Sequence, residues 1–121
     1  MSIELLPSIA SKTIALKMEG YLSAQDIDRV VAELEPQLQN SDEKVRILIE
    51  VDSWTGMSPM AFFKDLWFSL RHWHQFEREA IVSDLEWLGQ LSRWFSRLLP
   101  GIEVRYFPRS QREAALSWVT H

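Results

Sequence analysis

The chain has 121 residues, 46% of them hydrophobic and 25% charged, with a formal net charge of −4 and no cysteine. That size and composition fit one domain, residues 1–121, with an ordinary core, and they argue against disorder. The acidic balance disfavours nucleic-acid binding, which needs a clustered basic surface, and the missing cysteine excludes disulfides, thiol catalysis and thiolate metal sites.

Ile3 to Leu6 is a short predicted strand ended by Pro7. Thr13 to Met18 is a second, with Ile14, Leu16 and Met18 alternating against Thr13 and Lys17. The short spacing predicts an antiparallel hairpin, and Gly20 a turn after it. Ser23-Ala-Gln-Asp26 has the spacing of a capping box. Ile27, Val30, Val31, Leu34 and Leu38 then follow at helical spacing, and Pro36 predicts a loosened last turn.

Val45 to Val51 reads as a buried strand, because Ile47-Leu48-Ile49 is continuously apolar. Asp52 to Ser58 reads as a loop, with Ser58 as the cap of a helix from Pro59 to His74. Pro59, Phe62, Phe63, Leu66, Leu70 and Trp73 form that helix's predicted core stripe, and Phe68 points roughly the other way. Ala80 to Val82 is a short strand. Glu86 to Leu99 is a helix with Trp87, Leu88, Leu91, Trp94, Phe95 and Leu98 on one side, stopped by Pro100-Gly101. Val104 to Phe107 is the last strand. Ser110 to Glu113 predicts a second capping box, opening a final helix. Strands alternating with helices predict an α/β domain. Its sheet is mixed and mostly parallel, of about five strands, with an N-terminal antiparallel hairpin and four helices.

Six tryptophans stand in 121 residues, four of them between Trp67 and Trp94. This enrichment sets the first candidate site: a nonpolar cavity between the two aromatic helices. Its lining residues are Trp54, Phe62, Phe63, Leu66, Trp67, Trp87, Leu91, Trp94, Phe95 and Leu98. The competing reading is plain core, or an apolar face for a partner. The second candidate is the polar loop Asp52, Ser53 and Ser58. It lies beyond a strand's carboxyl end, where open α/β sheets hold ligands; the alternative there is turn and cap chemistry. The third candidate is His72 and His74 with Glu77 and Glu79, but the two histidines stand two residues apart, so they point to different sides of a helix and do not chelate one metal. No catalytic residue, metal site or cofactor is predicted, for the chain has no G-x-S-x-G, phosphate loop or H-E-x-x-H.

Several motifs together resemble a known family. They are GYLSAQD at Gly20 to Asp26, LIEVDSWTG at Leu48 to Gly56, and LRHWHQFEREAIVSD at Leu70 to Asp84. EWL at Glu86 to Leu88, VRYF at Val104 to Phe107 and ALSW at Ala115 to Trp118 complete the set. The combination is similar to the SpoIIAA-like family of small bacterial proteins, whose fold is shared with STAS domains. The resemblance implies a STAS-like single domain and, through similarly built CRAL-TRIO-type domains, nonpolar ligands. STAS anti-sigma-factor antagonists carry a phosphorylatable serine in an aspartate-serine-serine-glycine loop. This chain has Asp52-Ser53-Trp54-Thr55-Gly56 there, so the phosphoswitch does not transfer.

The expected function is therefore noncatalytic binding or carriage of a nonpolar, lipid-like molecule. The alternative is a STAS-like interaction module acting through an apolar helix face. Expected partners are a nonpolar small molecule, a second copy in a homodimer, and a membrane surface in passing. No run approaches the roughly 18 apolar residues of a membrane span, and MSIELLPSIASK lacks a signal-peptide pattern. The expected location is cytoplasmic.

Overall fold

A computed structural model describes residues 3–7, 12–39, 44–98 and 101–121, apart from the side chains at 39, 73, 95, 96 and 98. In chain order the elements are β1 (Ile3–Leu5), β2 (Thr13–Leu22), α1 (Ala24–Gln39), β3 (Val45–Met57) and α2 (Pro59–His72). A 3₁₀ turn (Trp73–Gln75), β4 (Phe76–Val82), α3 (Glu86–Leu98), β5 (Glu103–Phe107), another 3₁₀ turn (Arg109–Gln111) and α4 (Arg112–Thr120) complete the chain. The sheet order is β1-β2-β3-β4-β5. β1 is antiparallel to β2, and every later pairing is parallel.

That order explains where the helices lie. Each parallel step moves the same way across the sheet, so right-handed crossovers place α1, α2 and α3 on one face. Strand alternation divides the core accordingly. Ile14, Leu16 and Ile47 meet Leu34 and Leu38 of α1 and Ala61 and Phe68 of α2. On the opposite face, Ala15, Leu48, Ala80, Val82 and Phe107 meet Ala115 and Val119 of α4. Arg46 and Arg78 reach from the sheet to donate to the carbonyls of Val119 (3.1 Å) and Trp118 (2.8 Å). These cations thereby satisfy the acceptors that a helix leaves open at its C-terminus.

The first capping box forms as its sequence predicts: Asp26 N donates to Ser23 Oγ (3.2 Å) and Ser23 N donates to Asp26 Oδ2 (2.9 Å). Ser58 caps α2, its Oγ accepting from Ala61 N at 3.0 Å. Three other expectations change. Gly20 makes a bulge inside β2, not a turn: its φ is 66°, and the β2–β3 register shifts on either side of it. Asp52 to Gly56 is not a loop. Past the bulge, Gly20, Tyr21 and Leu22 pair with Trp54, Gly56 and Met57, so β3 runs on to Met57. The Ser110 capping box does not form, because Pro108 starts a 3₁₀ turn and α4 begins at Arg112 with no side-chain cap.

The largest departure concerns which faces of α2 and α3 point inward. α2 buries Ala61, Phe68 and His72, while Phe62, Phe63 and Leu70 of the predicted core stripe stand 51%, 61% and 52% exposed. α3 buries Gly89 and Ser92 and exposes Trp87, Leu91 and Trp94. In both helices a small residue sets the contact. Ala61 has no exposed surface, and a Cβ on Gly89 would lie 3.1 Å from the Tyr106 ring. Ser92 is tolerated inside because its hydroxyl donates to Leu88 O at 2.7 Å. Gly89→Leu should therefore push α3 off β5 and cost about 1–3 kcal/mol, by overpacking. Gly89→Ala should be close to neutral, since a gain of about 1 kcal/mol in helix propensity offsets the crowding. Thermal unfolding of the two variants separates close packing from a general dislike of substitution there.

Candidate functional site

Among the described residues, most of the predicted ligand-lining side chains face outward. Phe62, Phe63, Trp67, Trp87, Leu91 and Trp94 are between 40% and 65% exposed, and Leu66 and Trp54 are partly buried. The side chains of Phe95 and Leu98 lie outside the described residues. Met60, Phe63, Trp67 and Leu70 follow at intervals of 3, 4 and 3 residues along the outer side of α2. Trp87, Leu91 and Trp94 do the same on α3. The Trp54 and Trp87 rings, 6.3 Å apart, link β3 to the start of α3. The result is an apolar outer stripe on each of the two helices.

A cavity does exist, on the inner side. It measures about 140 Å³ and lies between α1, α2 and the sheet. Leu16, Met18, Ile27, Val30, Leu34, Ile47 and Ile49 make its apolar wall. α2 adds Asp65, Phe68 and Ser69, and β4 adds Phe76 and Glu79. The two acids reach it for simple geometric reasons. Ala61, Asp65, Phe68 and His72 repeat at intervals of 4, 3 and 4, one inward stripe of α2. Glu79 and Ile81 face the helices while Ala80 and Val82 face α4.

Burial pushes the Asp65 carboxyl up to about 6. Burial, and then the Asp65 charge, pushes Glu79 up to about 7. Among the described residues no cation sits against either acid. Other acids of β3 and β4 are paired: Glu50 with Arg112, Asp52 with Arg109 at 2.9 Å, and Glu77 with Arg46 at 3.5 Å. Sequence reading passed over Asp65 because a charge interrupts the apolar pattern it was counting. The signal was there in the spacing of Ala61, Asp65, Phe68 and His72.

The polar residues predicted as a loop site have structural partners. Asp52 is held by Arg109, Ser58 caps α2, and Ser53 is exposed on β3. Near them a polar recess of about 340 Å³ is lined by Lys17, Glu50, Asp52, Arg109 and Arg112. Its cations are neutralised by Glu19, Asp52 and Glu50. The strand order never reverses between β2 and β5, so the sheet lacks the switch-point crevice in which open α/β folds hold ligands. His72 is buried, with Nδ1 against Gln75 Oε1 at 2.5 Å and Nε2 without a partner among the described residues. Gln75 in turn donates to Leu38 O at 3.1 Å, tying the end of α2 to α1. No three His, Asp or Glu among the described residues are placed to hold a metal ion, and no helix there is long and apolar enough to cross a membrane.

A match to the SpoIIAA-like family covers residues 13–120. The chain belongs to the SpoIIAA-like family. Its architecture agrees with an uncharacterised protein of the DUF3478 family from Shewanella loihica PV-4, which has a SpoIIAA-like fold. The two share 27% sequence identity with a TM-score of 0.82, over 97% of this chain and 91% of the other. No curated protein matches. Family membership therefore supplies the five-stranded mixed sheet and its four helices, and leaves the chemistry to the chain's own residues.

Proposed function

We propose that this SpoIIAA-like chain is a noncatalytic binding protein for small nonpolar molecules, held between α1, α2 and the sheet. The observation that carries this reading is the 140 Å³ cavity. Protein interiors seldom leave voids larger than a water molecule. Apolar ligand surface buried against the cavity wall stabilises a complex by about 25 cal/mol per Å². The cavity's volume suits a benzene-sized group, since apolar cavities of about 150 Å³ take benzene. A long acyl chain would have to leave most of its length outside.

Thermal unfolding with toluene tests this. At ten times its dissociation constant a ligand adds about 1.4 kcal/mol, or roughly 5 °C for a domain of this size. A saturable rise of that order is expected with toluene. An unchanged transition with benzene, toluene and indole alike would contradict the reading. Tryptophan emission is the weaker readout, since no tryptophan is among the residues described as lining the cavity.

A second reading is favoured by the outer face. Met60, Phe62, Phe63, Trp67, Leu70, Trp87, Leu91 and Trp94 all stand at least 40% exposed. A half-exposed aromatic leaves about 100 Å² in water. The five aromatics among them offer on the order of 500 Å², and Met60, Leu70 and Leu91 add to it, which approaches one partner's share of a standard interface. The occupant we assign to this face is a second copy of the chain, paired about a two-fold axis.

A further inference from the structure

We propose that the molecule held in the cavity is a small apolar amine, its ammonium group between Asp65 and Glu79 and its hydrocarbon part against Leu16, Ile27, Val30 and Leu34. This rests on the nonpolar-binding reading above and narrows it to one ligand class.

The argument starts from what surrounds the two acids. Both line one cavity, from facing elements, α2 and β4. The walls from β1, α1, β2 and β3, with Ile102 before β5, are apolar, and Ser69 is the other polar residue described there. A carboxylate taken out of water must find a cation, a hydrogen-bond donor or a proton. Glu50, Asp52 and Glu77 on the same sheet each have an arginine. Among the described residues Asp65 and Glu79 have none. Below about pH 6 a proton fills the role, since burial holds the two carboxyls near 6 and 7.

Each class of occupant meets these acids differently. A neutral hydrocarbon leaves them needing their protons. A carboxylic acid would bring a third acidic group beside two that already repel each other. A divalent metal ion needs more oxygen or nitrogen donors than these walls provide. A monovalent ammonium replaces the proton, donates up to three hydrogen bonds to the carboxylates, and keeps its apolar part against the aliphatic wall. A volume of about 140 Å³ admits a benzylamine-sized molecule.

The sign of the pH effect follows. Asp65 and Glu79 are the titratable groups among the described lining residues. Below about pH 6 both hold protons, and an ammonium must displace them. Affinity for the amine therefore rises as pH goes from 5.5 to 8, and affinity for a neutral hydrocarbon does not rise with it.

The test is calorimetric titration of the full chain with benzylamine and with toluene, at pH 5.5 and pH 8. The expected result is benzylamine binding at least tenfold tighter than toluene at pH 8, with the preference shrinking at pH 5.5. Glu79→Gln should lose tenfold or more in amine affinity at pH 8 while still unfolding cooperatively. Glu77→Gln, an acid of the same strand paired with Arg46, should bind the amine like the unmodified chain. Toluene binding as tightly as benzylamine at pH 8, or Glu79→Gln keeping the full amine preference, would overturn the proposal and leave the nonpolar reading standing. Failure of both molecules to bind would overturn both.

Discussion

Replacing Glu79 with glutamine will make the protein more stable at pH 8, by about 2 kcal/mol, and flatten its stability between pH 5 and pH 8. The sign comes from proton binding. Glu79 takes its proton at about 7 in the fold, against an ordinary 4.5, and Asp65 at about 6 against 3.8. Between those values the folded chain holds more protons than the unfolded one, so stability falls as pH rises. The favourable contribution is complete below about pH 4 and is lost as pH passes through 6 to 7. Each tenfold change in proton affinity corresponds to about 1.4 kcal/mol. Glu79 alone thus disfavours the fold at pH 8 by about 3 kcal/mol, less what a buried glutamine amide gives back by lacking partners. Urea unfolding at pH 5, 7 and 8 checks the prediction. A parent protein equally stable at pH 5 and 8, or a Glu79→Gln variant weaker at pH 8, would contradict it.

The second large effect concerns association. If the outer face pairs two copies as proposed, Phe63→Glu combined with Trp67→Glu will shift the protein to monomer and leave the fold's own stability within about 0.5 kcal/mol. Both side chains lie on the outer stripe of α2, more than 60% exposed, and neither borders the cavity. In a two-fold interface each copy would bring the same pair of new carboxylates to the shared apolar patch, so four charges would be placed there. Like charges brought together at an interface cost several kcal/mol, enough to weaken association at least a thousandfold. Sedimentation velocity at micromolar protein reads the change directly. An unmodified chain that stays monomeric at high micromolar concentration would remove the dimer reading and leave the cavity untouched.

The order of elements was legible because local signals agreed with one another. Ile14, Leu16 and Met18 alternate, Ser23 and Asp26 form their box, and Ser58 caps α2. Continuous Ile47-Leu48-Ile49 correctly marks a strand covered on both faces. The inward faces of α2 and α3 were not legible, because hydrophobicity was weighed by side-chain size. Packing was decided instead by how closely a helix could approach, and Ala61, Gly89 and Ser92 allow the closest approach. Phe62, Phe63, Trp67, Trp87 and Trp94 were left outside. Asp52 to Gly56 looked like a loop on composition, yet the Gly20 bulge brings Tyr21 and Leu22 alongside to extend β3. The acid pair at the cavity was invisible for another reason. Asp65 and Glu79 meet only because a helix face and a strand face share one layer.

These observations shift the expected binding site from the aromatic surfaces of α2 and α3 to the space beneath α2. Both faces of that helix carry apolar residues, and each has a separate assignment: the outer for a second copy, the inner for a ligand. The inner assignment is the central one, since the amine proposal and the ligand test both depend on it. Diffraction from a crystal held under xenon pressure tests it most directly, because xenon enters apolar cavities of this size. The predicted result is an anomalous peak among Val30, Leu34, Ile47 and Phe68, with the side chains in their present positions. A map without that peak, with Phe68 and its neighbours closed over the space, would contradict the account.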